Sequence, residues 1–314
     1  MKTAIITGAS GFIGSALANY LLNKNYFVIA MGRCRFSEIK LSRLSKNKNL
    51  IYIDLNMEKI SSLPFLIRKY PSINTFGATF YHLAWGGENQ LSDFNIKSQL
   101  KNVYWAENAL IAANELGCEK FIFVGTMEEV FAKQYLNLNY KNDLYYNRHL
   151  IYALAKTAAR NMLKLKAKKY TTSVIFATNS HVMGPKDDRD SFLQGTLKKL
   201  VHNQELMLNS GELYFDVISS YDCARAYHLI GEKGKPFKEY WVGSGEPKLL
   251  KEYVEIMAQL YPSKYTLEFG KIAFNDISLK KSDFSINELT RDTGFKPIMS
   301  FEKTVHELYN SLFK

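Results

Sequence analysis

Tyr152 and Lys156 stand four residues apart in Tyr152-Ala153-Leu154-Ala155-Lys156. On a helix that spacing puts a phenol and an ammonium on one face. A phenol is a weak acid, with an ordinary pKa of about 10. A neighbouring ammonium favours the phenolate, so the pair is expected to draw that pKa toward neutrality and to pass a proton to or from a substrate oxygen. The same spacing recurs at Tyr20 and Lys24. Spacing alone does not separate the two pairs; the elements around them do.

Ala4 to Thr7 reads as a buried strand. Gly8-Ala9-Ser10-Gly11-Phe12-Ile13-Gly14 follows, and a helical pattern then runs through Ala16, Leu17, Leu21 and Leu22. Strand, glycine loop and helix in this order suit a dinucleotide pyrophosphate, taken by the loop backbone and the helix N-terminus. The other reading of the loop is a tight turn without a ligand. Phe27 to Met31 reads as a second strand ending at Gly32, Arg33, Cys34 and Arg35. An acid there would suit the ribose hydroxyls of NAD; two arginines suit a 2′-phosphate, so the cofactor is expected to be NADPH, with NAD as the alternative.

Ile51 to Leu55 is a third expected strand, placing Asp54 and Leu55 at the cofactor. Asp54 is read as a partner for the adenine amino group or as the cap of the next helix. Thr79 to Ala84 is a fourth, closing on Leu83, Ala84 and Trp85 at the crevice. A helix over Ile96 to Leu116 carries Asn102, Lys120 to Gly125 is a fifth strand, and Ser173 to Thr178 a sixth, ending in Asn179. This alternation predicts an α/β fold with a Rossmann-type, doubly wound parallel sheet. Residues 1–178 are expected to form the dinucleotide-binding domain. Residues 179–314 are expected to form mainly a smaller α/β substrate lobe, with about 212–245 returning to the first domain.

The chain of 314 residues carries a formal charge of +11, and 46% of it is hydrophobic. Its basic residues are scattered rather than in blocks, which gives no footprint for nucleic acid. Cys34, Cys118 and Cys223 are too widely spaced for a disulfide framework or a zinc site, so no metal is expected. The apolar start, Ala4 to Thr7, is too short for a signal peptide or a membrane span, and a cytoplasmic protein without a membrane partner is expected.

With Gly8-x-x-Gly11-x-x-Gly14 in front, Thr126 after the fifth strand and Tyr152-x-x-x-Lys156 beyond it, the whole chain resembles the extended short-chain dehydrogenase/reductases. Its nearest branch is that of the NAD-dependent epimerases and dehydratases that act on nucleotide sugars. The resemblance implies that Tyr152 is the proton donor or acceptor, that Lys156 holds the nicotinamide ribose, and that Thr126 polarises the reacting carbonyl. It implies that Asn102 helps to seat the active-site elements, and that Trp85, Met127, Glu128, His181 and Phe215 face the substrate. Tyr20 and Lys24 match no catalytic position of the family and are read as surface. A homodimer through two long helices is also common among such proteins.

The chain departs from the family in its second half. His181 and Met183 stand where the family has an asparagine and an aromatic before Gly-Pro, and Phe215 stands where an arginine meets the nucleotide phosphates. Phosphate binding must then come from elsewhere or be weaker. His181 is read either as a donor to substrate or as a satisfied, half-buried histidine. Lys198 and Lys199 are read as a solvated face more readily than as phosphate ligands. A 4,6-dehydratase of this family needs an acid where Met127 stands, which argues against dehydration although Glu128 stays available; a 3,5-epimerase/4-reductase needs a cysteine beside Thr126, and none stands there. The expected function is NADPH-dependent reduction of a keto group on a nucleotide sugar, in the supply of surface-polysaccharide precursors. The alternatives are a 4-epimerase or dehydratase with tightly bound NAD, and a non-catalytic NADP-binding sensor.

Overall fold

Strand β1 (Thr3–Thr7) is buried at every position after the first. Only a sheet covered on both faces gives so continuous an apolar run. A computed structural model describes residues 1–87, 95–136, 149–273 and 277–314. After β1 come α1 (Phe12–Asn23), β2 (Phe27–Gly32), β3 (Leu50–Asp54), α2 (Leu63–Ile67), β4 (Thr79–His82) and α3 (Ile96–Glu115). Then follow β5 (Lys120–Thr126), α4 (Glu128–Tyr135), α5 (Leu150–Ala167), β6 (Ser173–Asn179), β7 (His181–Met183) and α6 (Phe192–Val201). The chain continues through β8 (Tyr214–Phe215), β9 (Val217–Ser219), α7 (Ser220–Lys233), β10 (Glu239–Val242) and β11 (Lys248–Leu249). It closes with α8 (Leu250–Leu260), α9 (Asn287–Thr293) and α10 (Phe301–Phe313).

Seven strands form the main sheet in the order β10-β6-β5-β4-β1-β2-β3. All six pairings are parallel. The architecture is α/β and Rossmann-like. The chain leaves β1 toward β2 on one side and pairs β1 with β4 on the other, so the winding reverses between β1 and β4. Ligands of such sheets bind beyond the carboxyl ends of the strands at that reversal. One face is sealed by α1, α7 and α9, the other by α2, α3 and α5, and each face has its own apolar core.

A third core holds the smaller lobe together, drawing on α6, α8 and α10. Its strand pairs are β7 with β9 and β8 with β11. Because β7 begins two residues after β6 ends, this lobe hangs on the carboxyl end of the sheet. Strand β10 returns to the main sheet beside β6.

Two local expectations are corrected. β4 stops at His82 rather than Ala84, because the N–H groups of Leu83 and Ala84 donate to the Thr7 hydroxyl, each at 3.1 Å, instead of to a strand. Asp54 caps no helix; Asn56 does so, its side chain accepting from the Glu58 N–H.

Candidate active site

The glycine loop meets two demands. Gly8 has φ +71°, a conformation L side chains rarely adopt, and a Cβ there would lie 2.9 Å from the Ala84 nitrogen. A Cβ on Gly14 would lie 2.2 Å from the Gly8 carbonyl oxygen. Glycine thus lets the turn, the start of α1 and the segment after β4 close on one another. Gly11 caps α1 without a side-chain bond, and its first turn holds no acid. The N–H groups of Phe12, Ile13 and Gly14 therefore open outward with the positive end of the helix, an arrangement that fits a diphosphate.

Beyond β2, Arg33 and Arg35 are exposed. Neither guanidinium has an acidic partner among the described residues; Glu38 instead accepts from the backbone N–H of Arg35, at 3.2 Å. The Tyr52 hydroxyl donates to the Cys34 carbonyl at 2.8 Å and so pins the turn that carries both arginines. Ser10 packs beside it, since a Cβ on Gly32 would meet both the Tyr52 and Ser10 oxygens. Asp54 is exposed at the end of β3, and Leu55 is buried with its N–H on the Gly32 carbonyl at 2.8 Å.

Asn102 is buried in α3 and grips the backbone of Gly86 on both sides. Its Oδ1 accepts from the Gly86 N–H at 2.5 Å, and its Nδ2 donates to the Gly86 carbonyl at 2.9 Å. Trp85 is held by a bond from its indole N–H to Gln99 at 2.8 Å. Its ring stands edge-on to Tyr152, centroids 6.1 Å apart.

Thr126 ends β5, and its hydroxyl stands close enough to the Tyr152 phenol to pull the phenol's pKa downward. Lys156, one turn along α5, is buried and donates from Nζ to the Val124 carbonyl at 2.8 Å. Burial lowers its pKa to about 7, against the attraction of Glu129. The expected pull of the ammonium on the phenol is not the governing effect. Burial raises Tyr152 above its ordinary value, with Thr126 and Arg189 pulling down and Glu128 and Glu129 pushing up. At neutral pH Tyr152 is therefore a protonated phenol.

Behind these groups lies a network that no local pattern announces. Arg160 donates from Nε and Nη2 to the two oxygens of Glu129, both at 2.9 Å, and from Nη2 to Thr178 at 3.0 Å. Its Nη1 lies 3.0 Å from Glu239 on β10. Glu129 also accepts the Thr126 N–H at 3.0 Å, so this buried ion pair orients the end of β5. Glu128 is buried too and pairs with Nδ1 of His149 at 2.9 Å. His149 lies three residues before Tyr152, and that proximity was the one available signal for it.

On the substrate side, Met127 is buried at the start of α4, its N–H on the Asn179 carbonyl at 2.9 Å. The Asn179 side chain accepts from the Tyr227 hydroxyl at 2.5 Å. His181 stands 5.4 Å from the Phe215 ring. It is half-buried but not satisfied: its Nε2 is enclosed without a partner among the described residues, and burial lowers its pKa to about 4. The structure therefore brings Thr126, Tyr152, Lys156, Trp85 and Glu128 together. Arg33, Arg35 and Asp54 gather instead at the ends of β2 and β3. Tyr20 lies on α1 and Lys24 just past its end, with Tyr20 packed on Tyr221 and His228 of α7.

Comparison with known proteins agrees with this fold. The model of the NAD dependent epimerase/dehydratase family matches residues 4–243. The CDP-abequose synthase of Salmonella typhimurium is 26% identical over 317 residues, covering 98% of this chain and 97% of that protein. The human dTDP-D-glucose 4,6-dehydratase is 24% identical over 270 residues, covering 82% and 75%. The solved UDP-glucose 4-epimerase of Thermotoga maritima, with UDP-glucose, superposes with a TM-score of 0.76 at 17% identity, covering 98% of each chain. The fold, the glycine loop and a family match over most of its length show that this chain belongs to the NAD dependent epimerase/dehydratase family.

Proposed function

We propose that the protein reduces a keto group on a nucleotide-activated sugar, using exchangeable NADPH, in the supply of surface-polysaccharide precursors. One relationship carries the reading: the half-buried Tyr152 phenol stands beside the Thr126 hydroxyl, and desolvation raises its pKa so that it keeps its proton. Such a group donates a proton to a carbonyl oxygen as negative charge develops there. The reduced nicotinamide supplies the hydride when bound. Thr126 orients the carbonyl oxygen, and Glu129 and Arg160 hold Thr126 in place. Lys156 and Asn102 shape the cofactor side of the crevice. Trp85, Met127 and Phe215 line the sugar side with apolar surface and exclude water.

The cofactor choice rests on Arg33 and Arg35, exposed and free of acidic partners among the described residues, which suit a 2′-phosphate. The nucleotide-sugar substrate is supported by the likeness to CDP-abequose synthase over nearly the whole chain. In this reading residues 1–178 hold the cofactor and 179–314 mainly the substrate. The active form is a homodimer through α3 and α5, whose outer faces expose Leu100, Tyr104 and Leu154. Among the described residues no helix is long and apolar enough to cross a membrane.

The test is NADPH oxidation against a panel of keto nucleotide sugars, with product stereochemistry by NMR. Turnover of at least one, faster with NADPH than with NADH, is expected. A second reading, a nucleotide-sugar epimerase or dehydratase with tightly held NAD, is favoured by the buried Glu128–His149 pair, which offers a further acid and base. Purified protein that carries NAD and ignores added NADPH would select that reading.

A further inference from the structure

Arg189 lies outside every motif of the chain, in the segment between β7 and α6. Asp187, fully buried, grips one edge of its guanidinium: Nε donates to Oδ1 and Nη2 to Oδ2, each at 2.8 Å. The backbone N–H of Arg189 donates to the same carboxylate at 3.2 Å. Gln194 donates to the Asp187 carbonyl at 2.5 Å, tying this brace to α6. The Val182 carbonyl accepts a further bond from Nη2.

The guanidinium sits beside the glycine loop. Its central carbon stands 4.9 Å from the centre of the Phe12 ring, inside the glycine loop. Its charge is felt at both Tyr152 and His181. The Nε edge is spent on Asp187, whereas Nη1 has no acceptor among the described residues, and the side chain is 44% exposed. A guanidinium presents rigid, directed donors, and one braced by a buried carboxylate loses little freedom when it binds an anion. Near it, the enclosed Nε2 of His181 also lacks a partner among the described residues. The cofactor's own diphosphate has the open N-terminus of α1. The substrate side, where Phe215 supplies a ring and no charge, needs a cation of its own.

We propose that Arg189, braced by Asp187, binds the diphosphate of the nucleotide substrate. This rests on the nucleotide-sugar reading above. Its ligand class is a nucleoside diphosphate, and its role is substrate affinity rather than proton transfer.

The experiment is calorimetric titration of the full chain with UDP, CDP, dTDP and GDP, with the matching nucleosides, and with NADPH. It compares wild type with Arg189→Ala and Arg189→Lys, each checked by thermal melting. Arg189→Ala is expected to weaken the best-bound nucleoside diphosphate by about tenfold or more. Nucleoside and NADPH binding should stay within about twofold, and Arg189→Lys should recover part of the loss. Should Arg189→Ala not fold, Arg189→Lys is expected to show a smaller loss confined to the diphosphates. Unchanged diphosphate binding in a folded variant overturns the proposal, as does an equal loss for nucleoside, or a loss for NADPH alone. Wild type that binds NADPH and none of the nucleoside diphosphates overturns it together with the nucleotide-sugar reading.

Discussion

The side-chain nitrogen of Lys156 lies 4.0 Å from the ring centre of Trp85 and 5.9 Å from that of Tyr152. The cation faces the indole and donates to the Val124 carbonyl. A desolvated contact of this kind contributes up to about 2 kcal/mol. The same enclosure that makes it strong makes the charge itself costly, and the pKa of Lys156 falls to about 7. The phenol beside it is governed by burial as well: its charged form is disfavoured too, so its pKa moves up and it stays protonated.

From that state follows the first expectation. Tyr152→Phe keeps the ring and its packing on Trp85 but removes the proton. We expect kcat to fall by about a hundredfold or more, with the melting temperature little changed. Near-normal turnover in a folded variant would remove Tyr152 as the general acid.

Lys156 makes a stability prediction with a defined sign. Its folded pKa of about 7 lies below the ordinary 10.5. Between these values the unfolded chain holds more protons there, so wild-type stability at this site rises with pH across that window, by up to about 1.4 kcal/mol per unit. Below pH 7 the penalty is present in full. Lys156→Met removes it, so the variant should gain most relative to wild type near pH 6 and least near pH 10. Urea unfolding at several pH values measures this; a difference independent of pH would contradict it.

Arg33→Ala and Arg35→Ala test cofactor choice. Each should raise the KM for NADPH by about tenfold while leaving that for NADH within about twofold, because only the 2′-phosphate is lost as a partner. Equal effects on the two cofactors would end the argument from the arginines.

Glu129 holds Arg160 through two bonds and the Thr126 N–H through a third. Glu129→Ala leaves a buried guanidinium without its main partner, and a loss of about 3–5 kcal/mol in unfolding free energy is expected. Glu129→Gln retains an acceptor and should lose less. Equal stability of Glu129→Ala and wild type would show that the pair does not organise the site.

A family resemblance pointed to Thr126, Tyr152 and Lys156 over Tyr20 and Lys24; the sequence by itself determined the succession of the main strands and helices and the glycine loop. Those features depend on local periodicity and on residue types a few positions apart, which the chain displays directly. It also showed Met127 and Phe215 as apolar residues in the substrate half. Tertiary structure alone decided the direction in which the Tyr152 pKa moves, because burial is a sum over residues from several elements. It alone joined Arg160 to Glu129, 31 positions apart, and set Arg189 near enough to Tyr152 and His181 for its charge to act on both. Long-range placement of charge is set by how the smaller lobe closes on the sheet, and no spacing along the chain encodes it.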